Sequence, residues 1–174
     1  MKNRKISRIM SKRKLIMLAR KEELSHNLRY ISKVPVSLVM DRDFLKVKPE
    51  TPLFELIAMF NVEETSAVVV DDENRLVGFI TMKDILHYFM PPRRYSIVGI
   101  GLLKKYGLTR ASRVEDIMVK KPITIKIDDN LGNAIKLMVE TGKHHLPVID
   151  EERKVHGILE VKDIIRLIKI VSSE

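Results

Sequence analysis

The sequence predicts an α/β (α+β) fold in which two pseudo-symmetric β-α-β-β-α repeats pack sheet to sheet behind an N-terminal basic helical arm. Two internal matches predict it. Residues 36–47 return as residues 114–125 at an offset of 78, and residues 78–84 return as residues 157–163 at an offset of 79. Matches that include turns and helix starts indicate two copies of one supersecondary unit. A ligand shared by both copies would lie in the cleft between them.

The second copy shows the element order. Residues 123–127 alternate between apolar and polar side chains, as in a strand, and residues 128–130 supply polar caps for the helix that follows. Residues 146–149 form a short apolar strand, and a polar turn leads to its partner at residues 155–159. Helical spacing of apolar residues predicts a final helix over about residues 162–170.

The first copy follows the same order, which divides the chain into four parts. A basic arm occupies residues 1–35, the first repeat residues 36–89 and the second repeat residues 114–174. Between the repeats lies an insert, residues 90–113, which begins with a proline pair that stops the preceding helix. A short helix is predicted within the insert at residues 97–106.

The positive charge of the chain is concentrated in the arm. Of the formal net charge of +9, residues 1–35 hold eleven Lys and Arg against two Glu, and the remaining residues balance. Such an arm binds nucleic acid through phosphates, or touches anionic lipid or a partner protein as an amphipathic helix. A solvated or dimer-packing arm without a partner of its own is equally compatible with the sequence.

Several classes of protein are disfavoured by composition. The chain has no cysteine, which excludes disulfides, thiol catalysis and zinc-thiolate sites. No apolar run approaches the ~20 residues that span a bilayer, so we expect no membrane span and a cytoplasmic location. No Ser-His-Asp order or pair of catalytic carboxylates stands out, and we expect no enzymatic activity and no catalytic residues.

Thr81 and Asp84 mark the most informative motif. They lie three residues apart where a predicted strand ends and a helix begins. Unpaired N–H groups at a helix start favour an anion such as phosphate, and a carboxylate accepts hydrogen bonds from both ribose hydroxyls. The same spacing also forms a capping box, which satisfies the helix start without a ligand. The sequence leaves both interpretations open.

Three motifs recur in order in both copies. The first is an opening Asp-Ile-Met, present in Glu-Asp-Ile-Met at residues 115–118 and more weakly matched by Ser-Leu-Val-Met at residues 37–40. The second is a Pro-Val-Ile-Asp strand at residues 146–150, whose counterpart at residues 67–71 lacks the proline. The third is Gly-x-x-Thr-x-x-Asp at residues 78–84 and, with Glu160 replacing Thr, at residues 157–163. Over residues 36–89 and 114–170 the chain therefore resembles a tandem of cystathionine-β-synthase (CBS) domains, the pair called a Bateman module.

The resemblance implies a regulatory sensor without catalysis of its own. Such modules bind adenosine-containing ligands, so AMP, ADP, ATP or S-adenosylmethionine is expected as the regulatory ligand, with no required cofactor and no metal. They usually pair through their helices, which implies a homodimer and a further, unspecified protein partner. The alternative is a nucleic-acid-binding regulator that works through residues 1–35 and uses the repeats for dimerisation and sensing.

The resemblance also implies two pockets, each built from both copies. The first combines two residues of copy one with seven of copy two: Thr81, Asp84, Lys121, Ile123, Thr124, His144, His145, Leu146 and Pro147. The second, weaker pocket combines Phe44, Leu45, Lys46, Ser66, Ala67 and Val68 with Asp163 and Glu160. Glu160 adds a like charge where phosphate would bind, so the first pocket is the expected nucleotide site.

His144 and His145 permit more than one interpretation. Adjacent residues at a strand entrance point to opposite sides, which makes the pair a poor metal site. They are either surface or core-edge residues, or they contact phosphate or ribose. With a pKa near the usual ~6.5, a contacting histidine would tighten nucleotide binding as pH falls.

Overall fold

The computed structural model describes residues 29–89 and 113–172. The first repeat contains β1 (Leu45–Val47), α1 (Leu53–Met59), β2 (Ser66–Val70), β3 (Leu76–Thr81) and α2 (Met82–Phe89). The second contains β4 (Ile125–Lys126), α3 (Leu131–Thr141), β5 (His145–Ile149), β6 (Val155–Glu160) and α4 (Val161–Ser172). Short 3-10 helices precede β1 and β4, at Val36–Leu38 and Val114–Asp116.

Each repeat forms its own three-stranded mixed sheet, ordered β1-β2-β3 and β4-β5-β6. The first strand pairs parallel with the second, and the second pairs antiparallel with the third. A parallel pair requires a crossover connection, which α1 and α3 supply. The predicted α+β fold with two β-α-β-β-α repeats is confirmed.

Some element boundaries differ from the prediction. The strand predicted at residues 123–127 is shorter in the structure, where only Ile125–Lys126 pairs with Val148 and Ile149 of the neighbouring strand. The last helix is longer than predicted and runs over Val161–Ser172. The predicted cap of α3 is correct: the side-chain oxygen of Asn130 accepts a hydrogen bond from the N–H of Asn133 at 3.0 Å.

The two sheets pack face to face, as predicted. Their shared apolar layer takes Val68, Val70, Leu76 and Phe79 from the first sheet and Ile149, Val155 and Ile158 from the second. All seven are buried. Each sheet has an apolar face that must be buried, and packing the two sheets together buries both faces. The repeats therefore depend on each other for this part of the core.

The opening segment of each repeat packs into the core of the other repeat. Val36 and Met40 join the apolar cluster of the second repeat, and Val114 joins that of the first, with Met118 packed against it. Backbone hydrogen bonds fix both placements, from Val36 N–H to the carbonyl of Asp129 at 2.9 Å and from Val114 N–H to that of Thr51 at 3.0 Å. The two repeats thus exchange their N-terminal segments.

Two backbone pairings between the repeats complete this exchange. Asp41 exchanges hydrogen bonds with Ile158 at 2.8 and 2.9 Å, and Val119 exchanges them with Phe79 at 2.8 and 3.0 Å. Asp41 and Val119 are equivalent positions of the two copies, as are Phe79 and Ile158. The pseudo-symmetry of the sequence therefore extends to the contacts between the repeats.

The predicted insert helix at residues 97–106 and most of the predicted basic arm lie outside the described residues. Of the arm, the structure shows residues 29–31 as helical and buries Ile31 in the core of the second repeat. Within residues 29–89 and 113–172, no helix combines the length and apolar character that crossing a membrane requires.

Candidate functional site

Thr81 and Asp84 form a closed cap where β3 passes into α2. Oδ2 of Asp84 accepts hydrogen bonds from the N–H of Thr81 at 2.8 Å and from its Oγ1 at 2.7 Å. The N–H of Asp84 donates to Oγ1 of Thr81 at 3.3 Å. The capping box is therefore present, yet Oδ1 of Asp84 has no hydrogen-bond partner among the described residues. One oxygen caps the helix while the other is available to a ligand.

A cavity of about 690 Å³ lies beside this cap, between the two repeats. We call it the lysine cavity, after Lys83, Lys121 and Lys143 in its wall. The pairing of Val119 with Phe79 holds the backbone that follows Val119 alongside β3. Lys121 of the second repeat therefore shares one cavity with the cap of the first repeat.

The structure brings most of the predicted first-pocket residues into the wall of the lysine cavity: Thr81, Asp84, Lys121, Ile123, His144 and His145. It places the other three elsewhere. Thr124 lines a groove beside α3, and Leu146 is fully buried in the core of the second repeat. Pro147 is buried in β5 opposite Ile158.

Sequence reasoning missed further wall residues: Thr65, Phe79, Met82, Lys83, His87, Val119, Pro122, Gly142 and Lys143. A signal existed for two of them. Lys83 lies inside the Thr81 to Asp84 motif, and Lys143 directly precedes the histidine pair. Val119 and Phe79 enter the wall through a pairing between repeats, which no local pattern predicts.

His145 is the first residue of β5, the central strand of the second sheet, and lies half-buried in the wall of the lysine cavity. Its Nε2 is 3.3 Å from Oγ1 of Thr65 and 3.8 Å from Oε1 of Glu160. Burial lowers the pKa of His145 below its ordinary value of 6.5, although the carboxylate of Glu160 opposes this shift. The ring is therefore mainly uncharged at neutral pH. Any tightening of nucleotide binding by its protonation would occur at lower pH than the sequence suggests.

A second cavity of about 460 Å³ lies on the opposite side of the repeat interface. We call it the carboxylate cavity, because its wall contains five acidic side chains: Asp41, Asp43, Glu63, Glu64 and Glu160. Lys162 and Arg166 also line it. Thr65 lines both cavities, so the two walls meet at that residue.

Of the residues predicted for the second pocket, the structure places Phe44, Leu45, Ser66 and Glu160 in the wall of the carboxylate cavity. Ala67 and Val68 are fully buried in β2, and the Lys46 ammonium lies 5.0 Å from the ring centre of Phe44.

Asp163 is 5% exposed and lies outside the wall of the carboxylate cavity. One of its carboxylate oxygens accepts a hydrogen bond from Glu160 N–H at 3.0 Å. Burial raises the pKa of Asp163 above its ordinary value of 3.8. Asp163 therefore acts as the cap of α4 and is closed off from ligands.

The described residues contain no group of three or more His, Asp or Glu side chains placed to hold a metal ion. His144 is exposed, and His145 is occupied by Thr65 and Glu160. The chemistry that the site offers is therefore that of ammonium groups, a carboxylate oxygen and an apolar wall.

Known proteins share this architecture. The model of the CBS domain family matches residues 31–91 and 114–170, which is most of the chain. The chain belongs to the CBS domain family. The resemblance seen in the sequence motifs is thus confirmed, in both copies.

Among curated relatives, inosine-5'-monophosphate dehydrogenase of Methanocaldococcus jannaschii is 28% identical over 149 residues. The match covers 83% of this chain but 25% of the dehydrogenase, so the chain spans about a quarter of that protein's length. The similarity is therefore limited to the CBS region and does not extend to the enzyme as a whole.

Two solved structures have the same fold. CBSX2 of Arabidopsis thaliana, solved in complex with AMP, is 26% identical with a TM-score of 0.66, covering 79% of this chain and 98% of that one. A conserved protein from Pyrococcus horikoshii is 29% identical with a TM-score of 0.60, covering 78% and 92%. The likeness extends over nearly the whole length of both of these chains.

Proposed function

We propose that this chain is a regulatory ligand-sensing module that binds an adenosine-containing nucleotide in the lysine cavity and has no catalysis of its own. The observation that carries the proposal is the wall of that cavity, in which the free Oδ1 of Asp84 and three lysines surround about 690 Å³. This volume is typical of small-molecule sites. CBSX2, which has the same fold, was solved with AMP bound.

The parts of the cavity match the parts of a nucleotide. Oδ1 of Asp84 is the acceptor for ribose hydroxyls, and the ammonium groups suit phosphates. Phe79, Val119 and Ile123 give the wall apolar surface for a purine. AMP, ADP, ATP and S-adenosylmethionine all contain the adenosine that this arrangement would hold.

Ligand binding would act through the interface between the repeats. The lysine cavity takes Asp84 from one repeat and Lys121 from the other, so a bound nucleotide contacts both. A ligand shifts an equilibrium only by the difference in its affinity for the two states. We therefore expect binding to stiffen the cleft and to change how the module pairs with a second copy or with a partner protein.

Thermal unfolding of the full chain with AMP, ADP, ATP, NAD or S-adenosylmethionine tests the proposal. A ligand present at 100 times its dissociation constant adds about 2.7 kcal/mol to the free energy of unfolding. For a domain of this size the midpoint rises by several degrees. A midpoint that none of these ligands shifts would reject the proposed function.

Asp84→Asn separates ligand binding from capping. Asparagine retains an acceptor for the N–H of Thr81 but loses the charge offered to a ribose, where a charged hydrogen bond contributes about 1.5 to 3 kcal/mol. We expect the ligand-induced shift largely to disappear. The matched control is Asp163→Asn, at the equivalent position outside either cavity wall, which should retain the shift. Equal losses in the two variants would contradict the assignment of Asp84.

A further inference from the structure

The two cavities are built from the same positions of the two repeats. Phe79 and Lys83 in the wall of the lysine cavity correspond, at an offset of 79, to Ile158 and Lys162 in the wall of the carboxylate cavity. The strand pairing confirms the correspondence, because β2 and β5 begin opposite the last residues of β3 and β6. The side chains of the two cavity walls can therefore be compared position by position.

Charge is reversed at two of these matched positions. Lys121 corresponds to Asp43, and each lies two residues after a backbone pairing between the repeats. Lys143 corresponds to Glu64, and each lies between a helix and the central strand of its sheet. At a third position Thr81 corresponds to Glu160. All three differences make the lysine cavity more positive than its counterpart.

Ion pairing strengthens this contrast. Among residues 29–89 and 113–172, the ammonium groups of Lys83, Lys121 and Lys143 have no carboxylate within ion-pair distance. They are therefore available to an anion.

The cations of the carboxylate cavity are already paired. Nζ of Lys162 lies 2.9 Å from Glu160, and this hydrogen bond raises the pKa of Lys162. Arg166 lies 3.6 Å from Asp163. The carboxylates of Asp43 and Glu64 have no ion-pair partner in the described part of the chain.

We infer that Lys83, Lys121 and Lys143 form a polyphosphate subsite in the lysine cavity, and that Asp43, Glu64 and Glu160 exclude phosphates from the carboxylate cavity. Each chain then holds one nucleoside di- or triphosphate in preference to a monophosphate. The inference rests on the proposed function, which supplies the nucleoside. Each added phosphate brings charge and acceptor oxygens to ammonium groups that no carboxylate of the described residues neutralises.

Titration calorimetry of the full chain with adenosine, AMP, ADP and ATP tests the subsite. We expect affinity to rise with phosphate number, by about tenfold or more from AMP to ATP, since one charge-assisted hydrogen bond is worth that much. The gain should shrink as salt is added. Equal affinities for AMP and ATP would overturn the subsite but leave the proposed function standing. Failure of all four to bind would reject the proposed function itself.

Single substitutions assign the phosphate contacts and exclude ATP bound elsewhere, such as on the basic arm. Lys121→Gln and Lys143→Gln should each lower ATP affinity about tenfold and leave adenosine affinity unchanged. Lys136→Gln removes the same charge from an exposed face of α3 outside both cavity walls and should change neither affinity. Unchanged ATP affinity in both cavity variants, or equal loss of ATP and adenosine affinity, would contradict the subsite.

Exchanging the charges tests the exclusion. The triple variant Asp43→Lys, Glu64→Lys and Glu160→Thr gives the carboxylate cavity the residues of its counterpart at these three positions, and the first two lie where added side chains meet solvent or cavity space. Because Asp163 is closed off and supplies no ribose acceptor, the probe is inorganic triphosphate, and we expect the variant to bind one more triphosphate per chain than wild type. A variant that unfolds at the wild-type temperature without ligand and binds no additional triphosphate would show that these carboxylates do not exclude phosphate.

Discussion

Asp84 and Asp163 are equivalent residues that the structure uses differently. Each carboxylate accepts a hydrogen bond from the backbone N–H three residues before it. Asp84 keeps one oxygen beside the lysine cavity, whereas Asp163 is buried next to the carboxylate of Glu160. Burial and this neighbour both disfavour the ionised form of Asp163. The cap of α4 therefore carries an electrostatic cost.

Replacing Asp163 should remove that cost. Because the folded-state pKa of Asp163 is raised, its ionised carboxylate destabilises the fold at neutral pH, and protonation relieves this as pH falls through the raised pKa toward the unfolded value of about 3.8. We expect Asp163→Asn to unfold at a higher temperature than wild type at pH 7, with a difference that shrinks as pH falls through that window. A difference that stays constant between pH 7 and 4 would contradict this account.

Sequence reasoning reached the side chains that a local motif places and missed those placed by packing. Thr81 and Asp84 were predicted because three-residue spacing at a helix start fixes their relation. Leu146 and Pro147 were expected to face a ligand, but β5 is covered on both sides and Leu146 lies in the core. The sequence holds no alternation there to tell one face of the strand from the other.

At the level of elements, the exchanged opening segments require glycine on the strands that they cross. An added Cβ at Gly78 would overlap the sulfur of Met118, and one at Gly157 would lie 2.6 Å from the backbone oxygen of Asp41. Overpacking of this kind costs typically about 1 to 3 kcal/mol. We expect Gly78→Ala and Gly157→Ala each to lower the free energy of unfolding by this amount, as measured by urea denaturation.

The two glycine variants should differ in how much of their lost stability a second substitution restores. At Gly78 the nearest atoms all belong to the flexible side chain of Met118, so Met118→Ala should offset part of the cost of Gly78→Ala. At Gly157 the nearest atom is backbone, and shortening Met40 should offset much less. Double-mutant cycles measure both couplings. Equal rescue at the two positions would contradict the exchanged packing as the cause.

The exchange of opening segments between the repeats could not be predicted from the sequence. Residues 36–40 and 114–118 have apolar side chains that suit either core, and chain order assigns each segment to the repeat that follows it. Only the packed structure shows that each segment instead closes the other repeat. The periodicities that did predict helices and strands act within one element and carry no information about such a crossing.

For the whole molecule, pseudo-symmetry predicts two cavities but not their difference in charge. The residues outside the arm balance their formal charges, so composition suggests a neutral body. The fold nevertheless divides this charge between a lysine-lined and a carboxylate-lined cavity on the two sides of one interface. A part of the chain that is neutral as a whole therefore presents two cavities of opposite charge.

The basic arm gives the alternative function its own test. Residues 1–28 contain nine Lys and Arg, and deleting them spares Ile31, which is buried in the core. If the arm binds nucleic acid, the full chain should retard DNA or RNA in a gel at low salt, the truncated chain should not, and affinity should fall steeply as salt rises. Both chains should keep the same nucleotide-induced rise in unfolding temperature, because the cavities lie in the part that remains. A full chain that retards neither nucleic acid at low salt would reject the alternative, whereas equal retardation by both chains would move the binding surface from the arm to the CBS pair.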